Sequence, residues 1–151
     1  MKTGYKVCDA MTKKPIIVPK NITISKCAKI MHKENIGSLV IGEKRILYGI
    51  VTEQDLVRKV LAPEIDIKKT PVSKIMTKRL FTVSPEIDLF DAINLMNDYN
   101  IRHMPVIAKK RVIGYLTLKD ILRIQPQLYE LIVDKFNIKH EEHKQFFPKE
   151  N

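Results

Sequence analysis

The sequence predicts a mixed α/β (α+β) fold in which two copies of one small unit pack as a pseudo-twofold pair. Residues 7–60 and 72–125 match without a gap, at the constant offset of 65 residues that separates Val72 from Val7. This period exceeds the range of about 20 to 50 residues usual for stacked solenoid repeats, so it indicates duplicated small domains. Each copy alone is near the size at which a lone hydrophobic core is marginal, and we therefore expect the copies to share a core.

Each copy carries the pattern of a β-α-β-β-α unit, which begins with a short β-rich segment at residues 15–18 or 80–83. Apolar residues spaced at i, i+3, i+4 and i+7 then mark one face of a helix. These faces are Ile24, Cys27, Ala28 and Met31 in the first copy and Leu89, Ala92, Ile93 and Met96 in the second. Thr23 and Asp88 precede them, where a side-chain oxygen can cap the first free N–H groups.

The second half of each unit predicts a hairpin and another helix. Two apolar runs joined by a short charged turn occur in each copy, an arrangement that is typical of a β-hairpin. The runs are 38–41 and 46–51 in the first copy and 104–107 and 112–116 in the second. Thr52 and Thr117 then open the last helix of each unit.

These elements divide the chain into a first domain at 1–61, a linker at 62–71, a second domain at 72–125 and a tail at 126–151. The linker is too short to keep the copies apart, so we expect them to pack face to face. Apolar residues in the tail predict one more amphipathic helix before a polar end that we expect to be mobile.

The charge balance favours an anionic partner. The chain has 27 Lys and Arg against 17 Asp and Glu, a formal net charge of +10. Nucleotides, nucleic acids and acidic surfaces are all compatible with this charge. The beginning of the chain lacks the apolar segment of a signal peptide, and no stretch approaches the roughly 20 apolar residues of a membrane span. We therefore expect a soluble, cytoplasmic protein with no membrane partner.

No metal site is expected. Cys8 and Cys27 have Ser73 and Ala92 as counterparts in the second copy, so the cysteines do not form a shared metal or redox pattern, and we expect reduced thiols. The two histidines at 140 and 143 lack the His-Glu-x-x-His spacing of zinc proteases.

Both copies end in one pattern: Gly, two apolar residues, Thr, two variable residues and Asp. The residues are Gly49, Thr52 and Asp55 in the first copy and Gly114, Thr117 and Asp120 in the second. A threonine at a helix N-terminus lies beside free N–H groups that attract anions, and a carboxylate one turn later can accept hydrogen bonds from a diol. The alternative is a capping box, because Thr followed three residues later by an acid is common at helix starts. The two roles are not exclusive.

With these motifs the chain resembles the paired CBS domain, a family named for cystathionine β-synthase whose members sense adenosine nucleotides. The resemblance covers about residues 7–125 and includes the Val-x-x-x-Met-Thr openings at 7–12 and 72–77 and the Ile-x-x-Met-Pro-Val segment at 101–106. It implies a stand-alone regulatory module, not an enzyme, that binds AMP, ADP or ATP in two clefts between the copies and modulates a partner. Such a module requires no metal and no further cofactor.

The resemblance also implies which residues line each cleft. The aspartate binds the ribose diol, the threonine binds the ribose or phosphate, and the other copy offers main chain to the adenine. The preferred cleft comprises Lys14, Pro15, Ile16, Ile36, Gly37, Ser38, His103, Thr117, Lys119 and Asp120. The second cleft comprises Thr52, Asp55, Arg79, Leu80, Phe81, Ile101, Arg102 and His103.

The two clefts should not be equivalent. The segment 36–38 is small and lets a flat base reach the main chain, whereas 101–103 is bulky and cationic. We therefore expect the base in the Asp120 cleft, with Arg102 and a protonated His103 directed toward phosphates. Further phosphate candidates, which as single residues are more often solvated surface, are Lys13, Lys14, Lys78, Arg79 and Lys119.

Other functions remain open. An S-adenosylmethionine-type ligand keeps the adenosine contacts but places a cation where phosphates would lie, and the net charge argues against it. Nucleic-acid binding fits the charge, although the chain lacks a helix-turn-helix or zinc signature. A dimerisation module with empty clefts is a third alternative, since family pairs commonly form homodimers. Enzymatic activity is disfavoured because no nucleophile, base and orienting group recur as a set.

Overall fold

The structure, a computed structural model, describes residues 1–144, with side chains through residue 136, and it contains two three-stranded sheets. The helices are α1 (Val7–Ala10), α2 (Ile24–Glu34), α3 (Glu53–Asp55), α4 (Leu89–Asp98), α5 (Leu118–Ile124) and α6 (Tyr129–Lys144). The strands are β1 (Thr12–Lys13), β2 (Ile17–Val18), β3 (Ser38–Glu43), β4 (Ile46–Thr52), β5 (His103–Ala108) and β6 (Arg111–Thr117). Helix α3 continues as a π-helix at Leu56–Leu61, and short 3₁₀ helices lie at Val72–Lys74 and Pro126–Leu128.

The predicted α/β fold is confirmed, and the helices begin at the predicted caps. The Lys26 N–H donates to Thr23 Oγ1 at 3.3 Å, and the Phe90 N–H donates to Asp88 Oδ1 at 2.8 Å. Both hairpins are present, with β3 antiparallel to β4 and β5 antiparallel to β6. Their two-residue turns, at 44–45 and 109–110, have positive φ at both positions, which matches the right-handed twist of the strands.

The β-rich segment before each helix is shorter than the sequence predicts. In the first copy only Ile17 and Val18 form a strand, which runs parallel to β3. In the second copy Val83 makes a parallel bridge to Val106, and Phe81 stacks on Tyr99 with ring centroids 3.7 Å apart. Lys14 has a φ of 60°, which interrupts the extended backbone after β1. Because the chain turns at Lys14, only the last two residues of the segment 15–18 pair with β3.

The two copies exchange their opening segments, defined as residues 7–13 and 72–77. Strand β1 pairs antiparallel with β6 of the second copy, and Thr12 lies opposite Tyr115. Thr77 makes the corresponding bridge to Ile50 in β4. The Thr77 N–H donates to the Ile50 carbonyl at 2.8 Å, and the Ile50 N–H donates to the Thr77 carbonyl at 3.1 Å. Each opening segment therefore extends the sheet of the other copy.

The hydrophobic cores follow the same exchange. Val7 and Ala10 are buried in the core of the second copy, whereas Val72 and Ile75 are buried in the core of the first. A further cluster joins the two sheets and contains Val40, Ile50, Val112 and Tyr115. The copies thus share apolar contacts, as the small size of one copy predicts, and the packing units differ from the sequence repeats.

Asp88 anchors the beginning of the chain to helix α4. Its carboxylate accepts hydrogen bonds from the Thr3 N–H, the Thr3 hydroxyl and the Gly4 N–H, in addition to the Phe90 N–H. Partial burial raises the pKa of Asp88, but the hydrogen bonds together outweigh burial and hold the pKa below its ordinary value. This cap lies on α4, outside the residues predicted to line either cleft.

The predicted tail helix is present as α6, which begins at Tyr129 after a 3₁₀ turn. Leu128 and Ile132 are buried against the core of the second copy. The end that we expect to be mobile, residues 145–151, lies outside the described residues.

Gly49 and Gly114 lie where the exchanged segments press on β4 and β6. A Cβ at Gly49 would stand 2.8 Å from Met76 Sδ and 2.9 Å from the Thr77 carbonyl oxygen. A Cβ at Gly114 would meet Met11 Sδ and stand 3.0 Å from the carbonyl oxygen of Thr12. We expect Gly49→Ala and Gly114→Ala each to lower the free energy of unfolding by about 1–3 kcal/mol through this overpacking, measured by urea denaturation.

The matched control is Gly37→Ala. A Cβ there would stand 3.3 Å from Glu53 Oε2, the mobile end of a side chain, so little change in unfolding free energy is expected. Equal destabilisation by all three variants would contradict the close approach of the exchanged segments.

Candidate functional site

The threonine and aspartate of each repeated motif form a reciprocal capping box. The Thr52 N–H donates to Asp55 Oδ2 at 2.9 Å, and the Asp55 N–H donates to Thr52 Oγ1 at 3.2 Å. In the second copy the distances between the corresponding atoms of Thr117 and Asp120 are 2.9 Å and 3.1 Å. The capping alternative is therefore confirmed, and the remaining question is what each carboxylate can still bind.

Each carboxylate also contacts a cation from its own helix. Asp55 Oδ1 lies 2.9 Å from Lys59 Nζ, and Asp120 Oδ1 lies 2.8 Å from Arg123 Nη2. An ionised carboxylate offers about four lone-pair positions, so each Oδ1 keeps an acceptor position for a ligand hydroxyl. The capping box and a ligand contact are thus compatible.

The two cations are held differently. Lys59 Nζ also donates to the Ile75 carbonyl and to Thr77 Oγ1, both at 3.2 Å, and so ties Asp55 to the opening segment of the second copy. The Arg123 side chain is 68% exposed, although Asp120 itself is buried. An exposed guanidinium can move aside at low cost, because exposed ion pairs contribute little to stability. The ion pair of Asp120 is therefore the easier of the two to open.

The structure brings parts of the preferred cleft together from both copies. The Ser38 side chain, at the start of β3, lies beside the hydroxyl of Tyr115 in β6. Side chains two residues apart on a strand share a face, so Tyr115 points to the same side as Thr117. Residues 14–16 connect β1, which lies on β6, to β2, which lies on β3. Segment 36–38 is also attached to its own copy, since the Gly37 carbonyl accepts the Glu53 N–H at 3.0 Å.

Residues predicted to line the second cleft also come from both copies, and two of them lie close together. His103, at the start of β5, lies close enough to Asp55 of the first copy for the carboxylate to act on its charge. Burial lowers the pKa of His103, the Asp55 carboxylate raises it, and the Arg102 guanidinium lowers it, with a net shift below 6.5. His103 also stacks on Tyr115, with ring centroids 5.8 Å apart. This histidine therefore stands between the two clefts.

The pKa of His103 changes its expected role. The sequence-based expectation of a protonated His103 near phosphates does not fit neutral pH, because burial favours the uncharged imidazole. A neutral imidazole still donates one hydrogen bond through its N–H. Arg102 is exposed, and its carbonyl accepts the Leu118 N–H at 3.0 Å.

The other predicted residues differ in burial. All the candidate phosphate ligands are exposed: Lys13, Lys14, Lys78, Arg79, Arg102 and Lys119. Exposed or half-buried positions also hold Pro15, Ile16, Ile36, Leu80, Phe81 and Ile101. Burial alone does not distinguish a ligand-binding surface from a solvated one, so the roles of these side chains remain predictions.

Lys59, Arg123 and Tyr115 are neighbours of the candidate site that the sequence reasoning missed. The two cations follow their aspartates at i+4 and i+3, a helical spacing that predicts ion pairs. The counterpart of Tyr115 in the first copy is Ile50. A comparison of the copies therefore shows that Tyr115 places a polar hydroxyl at a position that is apolar in the other copy.

Comparisons with known proteins decide the family. The model of the CBS domain matches residues 7–62 and again residues 72–126. The chain belongs to the CBS domain family. It is a CBS domain pair, which is a regulatory ligand-binding module, and tandem CBS domain proteins are typically regulatory rather than catalytic.

Two curated relatives share this arrangement. The chain is 41% identical over 106 residues to the CBS domain-containing protein CBSX3, mitochondrial, of Arabidopsis thaliana, covering 67% of this chain and 52% of the relative. It thus spans about half the length of that protein. It is 32% identical over 115 residues to the CBS domain-containing protein YhcV of Bacillus subtilis, covering 76% of this chain and 81% of the relative.

One of the solved structures that resemble the chain contains ligands. The CBS domain pair of protein MJ0100, in complex with 5-methylthioadenosine and S-adenosyl-L-methionine, is 35% identical with a TM-score of 0.71. The match covers 79% of this chain and 98% of that one.

The described residues contain neither a membrane-spanning helix nor a cluster of metal-binding side chains. None of the helices within residues 1–144 combines the length and apolarity needed to cross a membrane. Among the described side chains, no three His, Cys, Asp or Glu residues are grouped so that they could hold a metal ion. The side chains of the histidines at 140 and 143 fall outside that part of the chain.

We expect His103 to titrate below pH 6.5 in an NMR titration of its imidazole. Asp55→Asn should lower this pKa further, because the Asp55 charge favours the imidazolium. As the pH falls, His103 takes up its proton at a higher pH in the unfolded chain than in the folded chain, because its pKa is lower when folded. The contribution of neutral His103 to the free energy of unfolding is therefore complete above about pH 6.5. It is lost as the pH falls below that value.

His103→Gln provides the comparison, since it cannot titrate and should flatten this part of the pH dependence of the urea midpoint. A pKa for His103 above 6.5, or a rise in that pKa on Asp55→Asn, would contradict the placement of His103 beside Asp55 in a desolvated site.

Proposed function

We propose that the protein binds adenosine nucleotides, AMP, ADP or ATP, in the clefts between its two CBS domains and that occupancy modulates a protein partner. The observation that carries the proposal is the assembly of each Thr–Asp end with residues of the other copy. Ser38 lies beside Tyr115 near the Asp120 end, and His103 lies beside Asp55. A ligand in either cleft would therefore touch both copies and report on their packing.

The chemistry of the Asp120 cleft suits a nucleotide. Asp120 keeps an acceptor position at Oδ1 that a ribose hydroxyl can use. The start of β3, with the small residues Gly37 and Ser38, leaves room for a base. Lys14 and Lys119 are exposed and could neutralise phosphate charge. The second cleft offers Asp55 with a bulkier opposite wall, so we propose that it binds more weakly.

The MJ0100 complex supports an adenosyl ligand and also favours an alternative. Both of its ligands, 5-methylthioadenosine and S-adenosyl-L-methionine, carry an adenosyl group. A ligand of the S-adenosylmethionine type is therefore the second candidate for this chain. The net charge of +10 and the exposed Arg102 and Lys119 favour phosphates over a sulfonium cation, because like charges repel.

We also propose that the protein forms a homodimer through the outer face of the π-helix after α3. Val57 and Leu61 on this helix are 56% and 67% exposed, and exposed apolar side chains that lie together often mark an interface. A cytoplasmic location remains a prediction, and the name of the Arabidopsis relative places that protein in mitochondria.

The test is calorimetric titration of the purified protein with AMP, ATP and S-adenosylmethionine. Asp120→Ala should weaken binding of the preferred nucleotide by roughly ten- to hundredfold, because a hydrogen bond to a charged group is lost. Asp55→Ala should leave this tighter site in place. If the wild type gives no heat with any of the three ligands, nucleotide sensing is contradicted. Equal loss in the two variants would contradict the preference for the Asp120 cleft.

Asp88→Ala is the matched control, because it also removes a carboxylate that caps a helix, but outside the predicted clefts. It should lower stability and leave nucleotide affinity unchanged. A salt series with duplex and single-stranded nucleic acid tests the remaining alternative, since electrostatic binding to nucleic acid weakens steeply as salt rises.

A further inference from the structure

Tyr115 lies at the junction of the two domains, in the wall of the Asp120 cleft. It belongs to the apolar cluster that joins the sheets and is 9% exposed. The ring stacks on His103 from the neighbouring strand at an interplanar angle of 25°. This packing holds the ring in place and directs the hydroxyl toward Ser38, where β3 of the first domain begins.

The Tyr115 hydroxyl is buried without a hydrogen bond of ordinary geometry to any described residue. Ser38 is its polar neighbour and offsets part of the effect of burial, which raises the pKa of Tyr115 to about 12. The hydroxyl is therefore protonated at physiological pH and available as a donor. A buried polar group without a partner lowers stability, and phenylalanine would keep the ring packing without this cost. Removal of the hydroxyl is therefore expected to cost the ligand-free fold little stability.

The hydroxyl also distinguishes the two clefts. The residue at the corresponding position of the first domain is Ile50, which is buried in the same cluster but has no polar group. The residue of the opposite domain that faces this position is Ser38 in the Asp120 cleft. Its counterpart in the second cleft is His103. The hydroxyl therefore faces Ser38, a side chain that is smaller than the imidazole at the corresponding position of the other domain.

We propose that the Tyr115 hydroxyl is a ligand-binding group of the Asp120 cleft and that it hydrogen-bonds the adenosyl ligand beside Ser38. The inference rests on the proposed function, and it adds a specificity-determining residue that the Thr–Asp motif does not contain. Binding supplies the partner that the hydroxyl lacks in the free protein. The ligand therefore gains affinity from a group whose burial destabilises the empty site.

The test compares the parent protein, Asp55→Ala, with the double variant Asp55→Ala/Tyr115→Phe in AMP titrations and in thermal unfolding. Both proteins carry Asp55→Ala, so that the measured heat comes from the Asp120 cleft. The expected result is a loss of affinity of about three- to tenfold, the effect of one missing hydrogen bond. The unfolding midpoint without ligand should stay the same or rise. This combination separates a binding role from a structural one.

Ile50→Val is the matched control, since it trims an apolar residue of the same cluster. It should lower the unfolding midpoint and leave AMP affinity unchanged. Unchanged AMP affinity in Tyr115→Phe, while the parent protein binds AMP, would overturn the role of Tyr115 and leave the proposed function intact. If Tyr115→Phe lowers the unfolding midpoint, the hydroxyl has a structural partner and the inference also fails. A parent protein that binds none of AMP, ATP and S-adenosylmethionine would overturn the proposed function, and the role of Tyr115 with it.

Discussion

The antiparallel pairing of each opening segment with the last strand of the other domain is the constraint on which the structure depends. Thr77 and Ile50 exchange two backbone hydrogen bonds, and β1 pairs with β6 in the same way. This pairing carries Val7 into one core and Val72 into the other. It also sets β4 and β6 side by side, so that each Thr–Asp end faces the opposite domain. Without it, both cores would lose the buried apolar residues that the opening segments contribute.

The shared scaffold supports different side chains at corresponding positions, and the proposed difference in ligand binding between the two clefts rests on them. Ser38 corresponds to His103, and Ile50 corresponds to Tyr115. Around Asp55 the polar groups are already engaged, because Lys59 links the carboxylate to the opposite opening segment. Around Asp120, Arg123 is exposed, and the Tyr115 hydroxyl has Ser38 as a polar neighbour but no hydrogen bond of ordinary geometry to a described residue. The surroundings of Asp55 and Asp120 therefore differ in the hydrogen-bonding groups that are still free to bind a ligand. They also differ in the size of the neighbouring side chains.

Local patterns predicted much of the fold, and the size of one copy predicted shared packing, whereas the exchange of the opening segments was not predictable. Helix faces, caps such as Thr23, and hairpins depend on residues near in sequence, and these were found where expected. The exchange of opening segments depends on partners far along the chain, and the four residues of α1 are too few to show a periodicity. The capping box at Thr117 was predictable from spacing. The burial that lowers the pKa of His103 and isolates the Tyr115 hydroxyl arises only when the domains pack.

Native-state hydrogen exchange measured by NMR tests the exchanged pairing most directly. The amides of Ile50 and Thr77 bond across the two domains, and amides in β3 and β5 report on each sheet. If each core is completed by the other domain, the slowest amides of both sheets should exchange through the same opening, with the same free energy. Exchange of one domain at a clearly lower free energy, while the other domain remains protected, would contradict this interdependence.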